Sequence, residues 1–150
     1  MSRDETPISS EVGRWLDQMQ ALGQLTHERY NAGVASFGGR KVAMASAGHS
    51  DRKAFVKLAQ DVTTVRHAIS RPVALEVKKP GECVAIPDRY TDLRKKENKK
   101  KYRQYIWLSR QREVGSYCCV VHSVAEAKSH IYRASRGEVS PGPEQWAEKG

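Results

Sequence analysis

Two side chains of opposite charge, Glu76 and Lys78, stand two residues apart in the stretch EVKKP. Apolar residues alternate with them, which predicts a strand over residues 72–78 that carries the charged pair on one face. Such a pair can be a plain surface ion pair that contributes little to stability. It can also be a hydrolytic pair, in which the carboxylate holds a divalent metal and the lysine polarises water and offsets developing phosphate charge.

Other short motifs flank this pair in a definite order. RYNAG (29–33), GRK (39–41) and GHSD (48–51) precede it, and YRQYIWL (102–108) and GSYCCVVHSVAEA (115–127) follow it. Together, over roughly residues 11–131, these motifs resemble the VRR-NUC family, a branch of the PD-(D/E)xK nucleases. The family pattern has a first-helix Glu, an Arg-x-Asn strand, a Gly-x-x-Asp turn, a Glu-x-Lys strand, a helix carrying Gln, and a strand ending in Val-x-Ser-x-x-Glu-Ala.

The resemblance implies a restriction-endonuclease-like core and a set of site residues. The catalytic residues it implies are Asp51, Glu76, Lys78 and Gln104. The metal ligands it implies are Asp51, Glu76 and the carbonyl of Val77, with support from Glu11. An oxygen-rich set of this kind suits Mg²⁺ or Mn²⁺.

Structural interpretations of the same residues stay open. Glu11 can be a first-turn acid that interacts with the helix dipole, Asp51 can be an N-cap for a following helix, and Gln104 can be solvated. Charged residues follow Asp51 where the family has an apolar strand, and its distance in sequence from Glu76 is long. Asp61 is therefore a rival for the acidic metal ligand.

The charge balance favours a polyanionic partner. Among 150 residues, 26 Lys and Arg against 17 Asp and Glu give a net charge of +9, which is typical of nucleic-acid-binding proteins. Seven cations fall within ten residues, and they are the predicted phosphate contacts Arg94, Lys95, Lys96, Lys99, Lys100, Lys101 and Arg103. The further predicted nucleic-acid contacts are Arg29, Asn31, Arg40, Lys41 and Lys79.

Three cysteines without zinc spacing indicate neither a disulfide framework nor a structural zinc site, so a reducing, cytoplasmic location is expected. The N-terminal residues lack the apolar segment of a signal peptide, and the apolar runs are too short to span a bilayer. We therefore expect no membrane partner. Trp15 and Trp107 are expected in the core rather than at a base-stacking surface.

Hydrophobic periodicity predicts one α/β domain over residues 1–133, a mixed central sheet flanked by helices, followed by a loose tail over 134–150. For residues 47–70 a helix is favoured, although the β-branched residues 62–65 are compatible with a strand. The other predicted elements are a helix at 9–22, strands at 24–35, 40–46, 72–78 and 117–121, and helices at 93–112 and 124–132.

We therefore expect a metal-dependent DNA endonuclease, structure-selective on branched or junction DNA and homodimeric, with the last two properties implied by the resemblance alone. Two alternatives remain. One is a non-catalytic nucleic-acid-binding module that retains the fold, and the other is a basic adaptor for an acidic protein.

Overall fold

The structure of the chain is a computed structural model that describes residues 7–29, 34–37, 40–43, 50–59 and 69–150, with the backbone alone for 34–37 and 40–43. Its elements, in chain order, are α1 (Pro7–Ala21), β1 (Leu25–Arg29), β2 (Val34–Phe37), β3 (Arg40–Ala43), β4 (Arg52–Lys57), β5 (Ser70–Val77), α2 (Lys96–Lys101), α3 (Arg103–Glu113), β6 (Tyr117–Val121), α4 (Val124–Ser135) and α5 (Pro143–Trp146). Among these described helices, none is long and apolar enough to cross a membrane.

The predicted first helix is confirmed as α1, an amphipathic helix whose Val12 and Leu16 are fully buried. The helix ends at Gly23, whose φ of 75° few residues other than glycine adopt. The Gly23 amide donates to the carbonyl of Gln20, and the Gln24 amide donates to the carbonyl of Met19. This is the hydrogen-bonding pattern with which helices commonly close before a glycine.

A four-stranded mixed sheet with the order β1-β4-β5-β6 forms the centre of the described structure. The β1–β4 and β4–β5 pairs are antiparallel, whereas β5 and β6 are parallel. Parallel neighbours need a crossover connection, and α2 and α3 lie in that connection. The predicted α/β class with a mixed sheet flanked by helices is confirmed. A separate two-stranded ribbon pairs β2 with β3.

Each face of the sheet is covered by its own apolar cluster. Residues of β5 and β6 such as Leu75 and Val121 point to the side of α1 and α4. Their neighbours Ala74 and Val120 point to the opposite side, where they pack with Leu108 of α3 and with α5. Because strand side chains alternate between faces, Glu76 must lie on the α3 side.

The helix favoured for residues 47–70 is wrong over 52–57, where β4 pairs with both β1 and β5. Ala54 and Val56 are buried, while Phe55 between them is exposed, so the burial pattern has the period of a strand. Residues 62–65, which also entered that prediction, lie outside the described residues. The single strand expected at 24–35 is present as β1 and β2, and the expected strand at 40–46 is β3.

The single basic helix expected at 93–112 is two helices, because the backbone at Tyr102 leaves the helical conformation with φ −105° and ψ 22°. The first helix, α2, buries none of its residues, whereas α3 buries Leu108 against the sheet. The break therefore separates an exposed cationic helix from one that packs on the core.

The prediction of a loose tail is wrong, because the tail covers the edge strand β6. Trp146 is fully buried, and its Nε1 donates to the carbonyl of Cys118 at 3.0 Å. The Gln145 side chain accepts from the Val120 amide at 2.9 Å and donates to the Val120 carbonyl at 2.7 Å. The outer edge of β6 has no neighbouring strand among the described residues, so these side chains satisfy backbone groups that burial would otherwise leave unpaired.

Candidate active site

Asp51 and Glu76 face each other where β4 and β5 meet. The antiparallel register pairs Arg52 with Leu75, so one further step brings Asp51 opposite Glu76. Facing residues of an antiparallel pair project from the same face, with Cβ atoms about 5 Å apart. The two carboxylates therefore converge at the C-terminal end of β5, on the face that α3 covers.

Two reciprocal hydrogen bonds hold the carboxylates in place. The Asp51 amide donates to Glu76 Oε2 at 3.3 Å, and the Val77 amide donates to Asp51 Oδ2 at 3.1 Å. Asp51 precedes a strand, and its carboxylate accepts from the neighbouring strand. Its interpretation as the N-cap of a helix is therefore wrong.

Gln104, in the first turn of α3, contacts two charged side chains, those of Glu76 in β5 and of Lys78 directly after β5. Its Nε2 donates to Glu76 Oε1 at 2.8 Å, and its Oε1 accepts from Lys78 Nζ at 3.2 Å. The ammonium of Lys78 also lies 3.5 Å from Glu76 Oε1. Because the amide meets a carboxylate and an ammonium, only one orientation of its oxygen and nitrogen satisfies both neighbours. The interpretation of Gln104 as a solvated residue is wrong.

Both carboxyl groups are harder to ionise than in water. Glu76 is only 3% exposed, and this burial, reinforced by the charge of Asp51, raises the pKa of Glu76 from 4.5 to about 8. Burial also raises the pKa of Asp51, against the lowering effects of the Val77 amide and the Lys78 charge. Burial and mutual repulsion therefore favour a proton retained by the pair at neutral pH.

This donor set fits a hard divalent cation. Joint ionisation of two nearby carboxylates becomes favourable once a cation replaces the retained proton, because the charge of the cation offsets theirs. Within the described residues no group of three His, Cys, Asp or Glu side chains gathers at metal-binding distance. The side chains would thus supply two carboxylates, Asp51 and Glu76, with Val77 at the adjoining end of β5 as the predicted carbonyl ligand. Mg²⁺ commonly binds through one or two carboxylates and retains several waters.

Glu11 does not join the pair. It is exposed on α1, which packs on the opposite face of the sheet, and it lies beyond the first turn of a helix that begins at Pro7. Neither the metal-supporting role implied by the resemblance nor the first-turn role applies to Glu11 in this arrangement.

Sequence reasoning did not identify Arg52 as a residue that orients the site. Arg52 is buried on the α1 face, where its Nη2 donates to the carbonyl of Ser9 at 3.1 Å. A Cβ atom at Gly13 would lie 2.7 Å from this nitrogen, so the glycine provides the space. With Arg52 directed to one face, alternation directs Asp51 to the other. The charge of Arg52 also lowers the pKa of Asp51, against the larger effect of burial.

A cleft of about 510 Å³ opens beside Lys78 and Gln104, and we call it the basic cleft. It is lined by Lys78, Glu97, Lys100, Lys101, Arg103 and Gln104. Four of these six residues are cations, and Lys78 and Gln104 also contact Glu76. Two of the predicted catalytic residues, Lys78 and Gln104, thus share one opening with part of the predicted phosphate-binding run.

Some of the remaining predicted nucleic-acid contacts lie within the described residues and some lie outside them. Arg29 ends β1, and its charge lowers the pKa of Asp51. Arg94 is exposed and forms an ion pair with Asp92. Other predicted contacts are also exposed, namely Lys79, Lys95, Lys96 and Lys99. Four positions fall wholly or partly outside the described residues, namely Asn31 and Asp61 in full and the side chains of Arg40 and Lys41.

The sequence motif after β6 forms a helix cap. Ser123 Oγ accepts from the Glu126 amide at 3.1 Å, and Glu126 Oε2 accepts from the His122 amide at 2.9 Å. This reciprocal arrangement is a variant of the capping box that starts helices. The buried ring of His122 has its Nε2 2.8 Å from the carbonyl oxygen of Glu82. Among the described residues, this part of the motif positions α4 and the loop after β5.

Comparison of the chain with known protein families, with characterised proteins and with solved structures finds no match.

Proposed function

We propose that the chain is a Mg²⁺- or Mn²⁺-dependent DNA endonuclease of the VRR-NUC type, with a restriction-endonuclease-like core. The observation that carries the proposal is the convergence of Asp51, Glu76, Lys78 and Gln104, which come from three separate segments of the chain. A buried pair of carboxylates beside a lysine that lines a cationic cleft is a combination suited to metal-assisted phosphodiester hydrolysis.

A divalent cation bound at Asp51 and Glu76 would activate water and offset the charge that builds on the phosphate. The chain's own residues prepare for that state. The proton retained by Asp51 and Glu76 would be released on cation binding, since both would occupy the same site. Lys78 is directed toward the carboxylates by the oxygen of Gln104, and its ammonium can offset negative charge on the phosphate.

The basic cleft supplies the binding surface for the phosphate backbone. Lys100, Lys101 and Arg103 lie beside Lys78 within it, so a backbone that contacts them passes the lysine that contacts Glu76. Contacts of this kind fix the position of the strand without reading its sequence. Selectivity for DNA structure, such as a junction bound by a homodimer, is part of the proposal and is inferred from the resemblance.

The test compares Asp51→Asn with Asp61→Asn. The second variant is the matched control, because Asp61 is the rival candidate for the acidic metal ligand. For the wild type we expect cleavage of a labelled four-way junction in Mn²⁺, none in EDTA, and a rise in Tm when Mn²⁺ is added. Asp51→Asn should lose cleavage and the Tm response, while Asp61→Asn keeps both.

Retention of both by Asp51→Asn would exclude this carboxylate pair as the centre. Salt-sensitive DNA binding by a wild type that never cleaves would instead identify a non-catalytic binding module.

A further inference from the structure

A second cavity, which we call the tryptophan pocket, lies on the other side of Arg103 from the carboxylates. Its volume is about 690 Å³, within the range of about 300–1,000 Å³ that small-molecule sites occupy. Three apolar residues, Leu93, Ile106 and Trp107, and three cations, Lys99, Arg103 and Arg110, line most of it. No carboxylate of the described residues lines this pocket, so its electrostatic field favours a ligand that carries negative charge.

The tryptophan pocket adjoins the basic cleft. Arg103 lines both openings, and Gln104, the next residue of α3, contacts Glu76. Arg103, Trp107 and Arg110 follow at spacings of four and three residues, so they share one side of the helix. A chain of phosphates that enters the cleft beside Lys78 can therefore continue along α3 into the pocket.

Trp107 has the position of a stacking platform. It is half-buried and packs against the core cluster of Leu108 and Trp146, while it also lines the pocket. Packing on one part of the indole holds the ring in place, so a ligand that stacks on it does not have to order a mobile side chain. The expectation that Trp107 is a core aromatic holds for only part of its surface.

A flat apolar ring attached to a phosphate matches this combination of groups. A nucleotide base can stack on the indole while neighbouring phosphates contact Lys99 and Arg110, the arrangement by which proteins hold single strands. A base inside a duplex cannot do so, because both of its faces are already stacked on neighbouring base pairs. The ligand that fits is an unpaired nucleotide connected to the strand in the basic cleft.

We propose that the tryptophan pocket binds an unpaired base of a DNA strand whose neighbouring phosphate lies in the basic cleft. The inference rests on the proposed function, in that DNA is the ligand and the cleft receives its backbone. It specifies the substrate further as DNA with a single-stranded segment beside the cleavage position.

The test measures binding in EDTA, where the proposed cleavage cannot occur. Labelled oligothymidylate and a labelled duplex of equal length are titrated with wild type, Trp107→Ala, Trp107→Phe and the control Trp15→Phe, and fluorescence anisotropy is recorded. We expect Trp107→Ala to weaken single-strand binding by roughly tenfold, since it removes the aromatic ring on which the base stacks. Duplex binding should not change, and both phenylalanine variants should bind like the wild type.

Intrinsic fluorescence provides a second readout that does not depend on how well Trp107→Ala folds. Oligothymidylate should quench the emission of Trp15→Phe, which retains Trp107. It should not quench that of Trp107→Phe, whose two tryptophans are the fully buried Trp146 and Trp15 on the opposite face of the sheet. Equal single-strand affinity in wild type and Trp107→Ala, or persistent quenching in Trp107→Phe, would overturn the proposal. Trp107-dependent single-strand binding without any cleavage in Mn²⁺ would refute the nuclease proposal and leave this inference intact. Cleavage that does not depend on Trp107 would refute this inference and leave the nuclease proposal intact.

Discussion

Replacing Glu76 with glutamine should make metal-free protein more stable at high pH while it abolishes cleavage. The pKa of Glu76 is raised from 4.5 to about 8. At about 1.4 kcal/mol for each pKa unit, the ionised carboxylate destabilises the folded state by on the order of 5 kcal/mol. Since Glu76 is 3% exposed, solvent screens little of this effect. A neutral glutamine avoids it entirely.

The direction of the pH dependence follows from the raised pKa. The folded state binds the Glu76 proton more tightly than the unfolded state does, so the stability from this group is fully present below about pH 4.5. That stability is lost as the pH rises through about 8, where the folded state also gives up the proton. Across this window the wild type should lose free energy of unfolding that Glu76→Gln retains.

The assay is urea unfolding in EDTA at about pH 5 and about pH 9, on either side of this window. The difference in free energy of unfolding between Glu76→Gln and wild type should grow by roughly 4 kcal/mol between the two pH values. The glutamine side chain accepts the hydrogen bond of the Asp51 backbone amide less well than a carboxylate does. This adds a constant penalty of about 1 kcal/mol that cancels in the comparison. The exposed Glu82→Gln serves as control and should show no such growth. Parallel pH curves for wild type and Glu76→Gln would refute the proton-retaining pair.

Two further predictions concern the tail and the basic run. Trp146→Ala should lower the free energy of unfolding by about 3–5 kcal/mol in urea denaturation, because it leaves a large cavity beside β6. Trp146→Phe should lower it less. A loss for Trp146→Ala as small as that of a surface substitution would mean that the tail does not pack on the sheet in solution. Replacing Lys99, Lys100 and Lys101 with alanine should weaken DNA binding. It should also reduce the slope of log binding constant against log salt concentration by roughly 0.9 for each phosphate that the variant no longer neutralises. The exposed Lys128→Ala on α4 is the control, and an unchanged slope in the triple variant would place the DNA surface elsewhere.

The strand that carries Glu76 was predictable because its alternating pattern lies within a few consecutive residues. Apolar residues alternate with Glu76 and Lys78, and the structure confirms β5 with Glu76 on the face opposite Leu75. Strand periodicity alone fixes which side chains share a face. The meeting of Asp51, Glu76 and Gln104 was accessible only through the order of the motifs, because their contacts span 25 or more residues of sequence.

The strand that follows Asp51 was missed because its first inward position is charged. Arg52 occupies the first buried position of β4, and its Nη2 donates to the Ser9 carbonyl of a helix far away in sequence. A buried arginine resembles a surface residue until its partner is known. The helix expected over this segment has no counterpart in burial, because Phe55 is exposed between the buried Ala54 and Val56.

The tail was misjudged for a related reason. Serine, glycine and proline indicate turns, and in a terminal segment they suggest disorder. Here the polar side chains of Ser140 and Gln145 pair with the backbone of β6, and Trp146 completes the apolar cluster on that face. Whether a terminal segment packs depends on whether a sheet edge is open to receive it, which local composition does not report.

The most direct test of the nuclease proposal is single-turnover cleavage of a labelled four-way junction in Mn²⁺ by wild type, Lys78→Ala and the control Lys128→Ala. Lys78 contacts Glu76 and Gln104, whereas Lys128 is exposed on α4. We predict that Lys78→Ala reduces the cleavage rate by on the order of a hundredfold or more with little effect on DNA binding, and that Lys128→Ala cleaves like the wild type. Equal rates for wild type and Lys78→Ala, or wild-type cleavage that persists in EDTA, would contradict a metal-dependent centre at these residues.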